Sequence, residues 1–265
     1  MKGRLGVIVF FLSMALNTFA QQFEKLITFS VEKPVHYAAV DRPGELYLIF
    51  TDSTISRYDA SGSLMASGQL PFKPDVFDPR DGSRLYAFNR KHAQYIFFAP
   101  FFSLQNPPLT LDSAFVIEPF LACSSGDRDM VIIDEADWSL KKVNLRNNRV
   151  LFESMLSDSS ASLSKVNFIR EYQNLLFMLQ PDRGIMIFNM LGHHLRTIEA
   201  VGARHFNFLG EEVYYPRGKQ LVLFDLFTAE SRVIDLPYTA DFALLTDERL
   251  YLVKDQKIDV FLVKP

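Results

Sequence analysis

Asp41-Arg42-Pro43-Gly44-Glu45-Leu46-Tyr47-Leu48, followed after a break at Thr51-Asp52-Ser53 by Thr54-Ile55-Ser56-Arg57-Tyr58-Asp59-Ala60-Ser61-Gly62, is the stretch from which the fold is read. Pro43-Gly44 and Ser61-Gly62 supply the fixed φ and the positive φ that tight reversals need. The runs beside them are apolar, β-branched or aromatic, so the segment reads as strand, turn, strand, turn. The same rhythm returns along the chain. Counterparts of Leu46-Tyr47-Leu48 are Leu85-Tyr86-Ala87, Val131-Ile132-Ile133, Leu175-Leu176-Phe177, Val213-Tyr214-Tyr215 and Leu250-Tyr251-Leu252, spaced by roughly 37 to 46 residues. That is the period of a four-stranded propeller blade.

Polar bends precede most of these triplets: Asp78-Pro79-Arg80-Asp81-Gly82, Ser125-Gly126-Asp127, Gly210-Glu211-Glu212 and Asp247-Glu248. Second turns recur over 144–148, 189–192 and 225–230. Six copies predict an all-β, six-bladed propeller, with the 25 Phe and 10 Tyr filling the wedges between blades. The last copy holds only three strands, Phe242 to Leu245, Leu250 to Val253 and Ile258 to Val263. Lys25 to Val31 is an orphan, with Ile27, Phe29 and Val31 on one face. Its pairing with Ile258 to Val263 is expected to close the ring and hide both sheet edges. Ser157 to Ser162 reads as an exposed loop, and Asn106-Pro107-Pro108 as a junction between copies.

The first copy, Asp41 through Leu64, resembles the NHL-type six-bladed repeat, in which an Asp-x-x-Gly bend precedes a Leu-Tyr-Leu strand and an aromatic-Asp-x-x-Gly turn follows. The later copies match it in rhythm. The resemblance implies a scaffold that mostly binds proteins, sugars or nucleic acids, and whose six-bladed relatives include metal-dependent lactonases and lyases. A scaffold hosts unrelated functions, so the site must decide.

Lys2 and Arg4 precede the apolar run Leu5 to Leu16, and Thr18-Phe19-Ala20 places small residues where a signal peptidase inspects them. Residues 1–20 are therefore expected to be a signal peptide cleaved after Ala20, and residues 21–265 a single domain. The run is too short to span a bilayer about 30 Å thick. Gln21 follows the cut, so no cysteine is there to accept a lipid. The expectation is a periplasmic or secreted monomer without membrane insertion. Loss of Lys2 and Arg4 leaves 26 basic against 31 acidic side chains. That balance argues against nucleic acid as a partner. Cys123 stands alone, so no internal disulfide forms, and its apolar run Phe120-Leu121-Ala122-Cys123 reads as a buried, inert thiol.

Local catalytic signatures are missing. Asp134-Glu135-Ala136-Asp137 carries the letters of a helicase motif, but no phosphate-binding Gly-rich loop accompanies it, and it reads as an acidic strand end. His193-His194 point to opposite faces of a strand and grip no common metal.

In a propeller the first strand of each blade lines the channel, so residues near those strand starts meet at one mouth. They are His36, Asp75, Glu118, Asn167, His205 and Asp241. Hard carboxylate oxygens and neutral imidazoles in such a ring are able to hold a divalent cation or a polar ligand. No resident cofactor is expected otherwise. Arg80, Arg170 and Arg204, near other bends, are suited to an acidic partner.

The reading that follows is a non-enzymatic exported propeller, binding a protein partner in the cell envelope. The first alternative is a metal-dependent hydrolase, lactonase or lyase at the channel mouth, which requires three or more of the six residues to converge. The second is a carbohydrate-binding propeller with Trp138 and Tyr214 as its aromatic platform.

Overall fold

The computed structural model describes residues 23–103, 107–114, 116–126, 129–158 and 160–264. Strand β1 (Phe23–Ser30) precedes the first blade. Blade one is β2 (Val35–Val40), β3 (Leu46–Phe50), β4 (Thr54–Tyr58) and β5 (Leu64–Gln69); blade two is β6 (Val76–Asp78), β7 (Leu85–Asn89), β8 (Gln94–Phe98) and β9 (Leu109–Thr110). Blade three is β10 (Pro119–Ser125), β11 (Asp129–Asp134), β12 (Ser139–Asn144) and β13 (Arg149–Met155). After the short turn α1 (Ser160–Leu163), blade four is β14 (Phe168–Tyr172), β15 (Leu175–Gln180), β16 (Gly184–Asn189) and β17 (His194–Ile198). Blade five is β18 (Asn207–Leu209), β19 (Glu212–Arg217), β20 (Gln220–Asp225) and β21 (Ser231–Asp235). Blade six is β22 (Phe242–Leu245), β23 (Arg249–Lys254) and β24 (Lys257–Val263), with β1 as its fourth strand.

The six triplets seen in the sequence are the second strands of the six blades. Both faces of these strands are covered by neighbouring blades, so they are continuous apolar runs rather than alternating ones: Leu46 to Phe50 and Leu85 to Asn89 are buried throughout. Outer strands meet water and alternate or lie exposed, as in β5 and β13.

Tyrosine at the centre of the triplet joins one blade to the next. Tyr214 of β19 donates to the carbonyl of Leu245 at 3.0 Å and accepts the Leu245 amide at 2.9 Å, five to six. Tyr251 of β23 donates to the carbonyl of Gly44 at 2.7 Å, six to one. Tyr47 stays within its own blade, donating to Asp41 at 3.0 Å. Each such bond is worth about 1 kcal/mol, less than the roughly 2–3 kcal/mol of burying the ring. The hydroxyls therefore set blade spacing more than they set stability.

Ring closure follows the expected pairing. Ile27 stands opposite Val260 and Phe29 opposite Ile258, with a bulge between Lys25 and Ile27. Ile27, Phe29 and Val31 pack into the seam between blades six and one. One detail differs from expectation: β1 covers the outer edge of β24 but is itself the outermost strand, so its free edge lies at the rim.

The tract expected to be an exposed loop also differs. Residues 160–163 form a helical turn because Leu163 and Val166 are anchored in the core, while Arg183 pairs with Asp158 in front of it. The signal peptide, the cleavage point after Ala20 and Asn106 lie outside the described residues. Among the described residues no helix is long and apolar enough to cross a membrane.

Candidate functional site

The six innermost strands, β2, β6, β10, β14, β18 and β22, run side by side around the axis, so their starts form one mouth and their ends the other. Between the mouths the channel is filled. Tyr37 of blade one has its ring 6.3 Å from Phe77 of blade two, 6.3 Å from Phe168 of blade four and 5.7 Å from Phe242 of blade six. Phe168 continues to Phe206 of blade five at 5.3 Å. One aromatic layer thus draws on five of the six blades and separates the two openings.

Behind that layer lies a buried ionic cluster. Arg80 grips Asp78 through Nε at 3.0 and 2.9 Å and a terminal nitrogen at 2.6 Å, and donates to the carbonyl of Glu171 at 2.7 Å. Arg170 donates to Asn207 at 2.6 Å and approaches Asp78 at 3.8 Å. Burial alone would push the Asp78 pKa up, but the two guanidiniums outweigh it and hold the carboxyl well below the usual range. Arg80 and Arg170, expected to meet an acidic partner, are instead committed to this internal carboxylate. Arg204 is exposed.

The mouth at the strand starts opens into a cavity of about 1060 Å³. His36, Asp75, Asn167 and Asp241 line it, as the sequence suggested, above a floor of Tyr37, Phe168 and Phe242. Glu118 does not line it. Asp134 accepts the amides of Ile117 and Glu118, each at 2.9 Å, and that clamp fixes the chain where it enters blade three. Asp134 also takes Lys141 at 2.8 Å, so the first acid of Asp134-Glu135-Ala136-Asp137 is a structural node.

His205 is not in the lining either. It is 3 % exposed beneath the floor, its ring tilted against that of Phe242 at 5.0 Å, and its neighbour Arg204 faces the cavity instead. Among the described residues neither ring nitrogen closes a hydrogen bond; the backbone of Ala243 faces the ring without reaching good geometry. Burial lowers the His205 pKa to about 4, so the ring is neutral at pH 7. The His36 pKa is also lowered, first by partial burial and then by Lys73, with Asp75 acting in the opposite sense.

Three charged residues of the cavity had no counterpart in the sequence reading: Lys73 before β6, Lys91 in the turn after β7 and Asp255 in the turn after β23. The two lysines belong to blade two, and Arg204 belongs to blade five across the ring. These three cations are exposed and, among the described residues, none forms an ion pair. Among the described residues no group of three or more His, Cys, Asp or Glu stands close enough to hold a metal ion.

The expected aromatic platform does not form. Tyr214 is fully buried, and Trp138 packs edge-on against Phe120 at 5.2 Å. Cys123 is 1 % exposed, and burial pushes its thiol up to about 12.

No protein-family model matches this sequence, and no curated protein matches it significantly. Among solved structures the chain is similar to the WD40 domain of Neurospora crassa Pan2, with a TM-score of 0.60 and 8% identity over 92% of this chain and 96% of that one. At that identity the similarity shows the propeller fold alone, and it does not single out NHL-type blades.

Proposed function

We propose that the protein acts by binding, as a non-enzymatic protein-interaction module of the cell envelope, using the cavity at the inner-strand starts. One observation carries this reading: the polar groups of that cavity stand around a broad aromatic floor and do not gather at one point. Catalysis needs acid, base or metal ligands aimed at a common atom, whereas recognition is served by an apolar centre with a polar rim. Export through residues 1–20 and a monomeric state belong to the same proposal. The hydrolase, lactonase or lyase alternative lacks a converging ligand set among the described residues.

The test is a photo-crosslinking amino acid at Asn167, exposed in the cavity, with Leu64 on the outer strand of blade one as the control position. The expected result is one defined protein adduct from Asn167 and none from Leu64. No adduct from Asn167, together with turnover of a sugar lactone by the purified protein, would overturn the reading.

A further inference from the structure

We infer that the cavity selects an acidic peptide segment in which an apolar side chain is flanked by carboxylates. The inference rests on the reading of the protein as a binding module and names the partner that reading leaves open.

The chemistry of the cavity is that of a divided site. Its centre is the floor of Tyr37, Phe168 and Phe242, whose contacts draw blades one, four and six together. Rings held this way offer apolar area at little entropic cost. On one side stand Lys73 and Lys91 of blade two, and across the axis stands Arg204 of blade five. A ligand that satisfies both sides must carry anionic groups at two places with an apolar part between them. An extended peptide does this with ordinary residues, whereas a compact anion meets only one side. The cavity of about 1060 Å³ is also at or beyond the roughly 300–1,000 Å³ typical of small-molecule pockets.

Three acids, Asp75, Asp241 and Asp255, line the same cavity as the three cations. Asp75 already accepts the backbone amide of Arg90 at 2.7 Å, and Asp241 accepts that of Asp255 at 2.9 Å. Both carboxylates are engaged in fixing turns, and Asp255 stands in the turn after β23 of blade six, on neither of the blades that carry the cations. The cations have no such engagement among the described residues, and their long stems let the charged ends reach over the floor. At His36 the charge of Lys73 outweighs that of Asp75.

The experiment uses the purified protein and fluorescent peptides in which a central Phe is flanked by Glu at increasing spacing, read by anisotropy. At the best spacing, Gln in place of Glu is expected to weaken binding about tenfold, Ala in place of Phe by a similar factor, and Lys in place of Glu to abolish it. Lys91→Ala and Arg204→Ala are each expected to weaken the Glu peptide about fivefold without lowering the melting temperature, since both side chains are exposed. Absence of saturable binding by every Glu peptide, equal binding of Gln peptides, or indifference to both substitutions would overturn the inference. Its failure is separable from that of the binding-module reading. A specific adduct from Asn167 with no acidic preference removes only the ligand class, whereas no adduct together with lactone turnover removes the module itself.

Discussion

The guanidinium of Arg170 on blade four donates to the side-chain oxygen of Asn207 on blade five at 2.6 Å, while its other arm faces the carbonyl of Phe77 on blade two at 3.4 Å. Blades two and five lie opposite each other, so one buried side chain ties the ring across its diameter. Arg170→Met removes that tie and leaves Asp78 with Arg80 as its only counter-charge among the described residues. Because a buried carboxylate losing a cation is costly, unfolding stability is expected to fall by about 2–4 kcal/mol. The urea midpoint measures this, and a loss below about 0.5 kcal/mol would mean that water already solvates the cluster.

His205 predicts an acid-sensitive stability. Its folded pKa of about 4 lies below the ordinary value of 6.5. Between these values the unfolded chain takes up the proton and the folded chain does not. The contribution is therefore complete above pH 6.5 and is lost as pH falls toward 4, by about 3 kcal/mol in all. His205→Leu should flatten this segment of the urea midpoint against pH. Asp41 and Glu45, whose pKa values are raised chiefly by burial, act in the opposite sense in both proteins and cancel in the difference.

Closure of the ring depends on space at Gly62. Its φ is +79°, and a Cβ there would stand 2.9 Å from the ring of Phe29 on β1. Gly62→Ala is expected to cost about 1–3 kcal/mol through backbone strain and displacement of Phe29. Hydrogen exchange should quicken in β1 and β24 before it does in blade four. Uniform acceleration across all blades would show that the strap is not locally loosened.

Cys123 should resist alkylation in the native protein at pH 8, since its thiol is buried and pushed up to about 12. Mass spectrometry after iodoacetamide, with and without denaturant, tests this. Labelling of the native protein at the rate of a free thiol would contradict the burial.

The architecture was legible because its requirements are local. A Leu-Tyr-Leu run needs no distant partner to be recognised as a doubly covered strand, and Gly44 and Gly62 mark turns by their positive φ. The site was legible in part. Inner-strand starts can be counted, and so His36, Asp75, Asn167 and Asp241 came out together. His205 failed because a shift of one residue exchanges faces: Arg204 points into the cavity and His205 into the core. Glu118 failed because Asp134, which clamps its amide, is distant in sequence. Lys91 was missed although the turn between second and third strands opens at the same mouth, a signal the repeat contained.

The pairing of Phe29 with Ile258 joins the first described strand to the last. A ribosome therefore makes β1 more than two hundred residues before its neighbour exists, and the sixth sheet stays incomplete until residue 263 has been added. Loss of residues 257–263 would remove β24 and leave β1 unpaired, so damage to that segment should weigh more heavily on this chain than an equal loss from a polar loop.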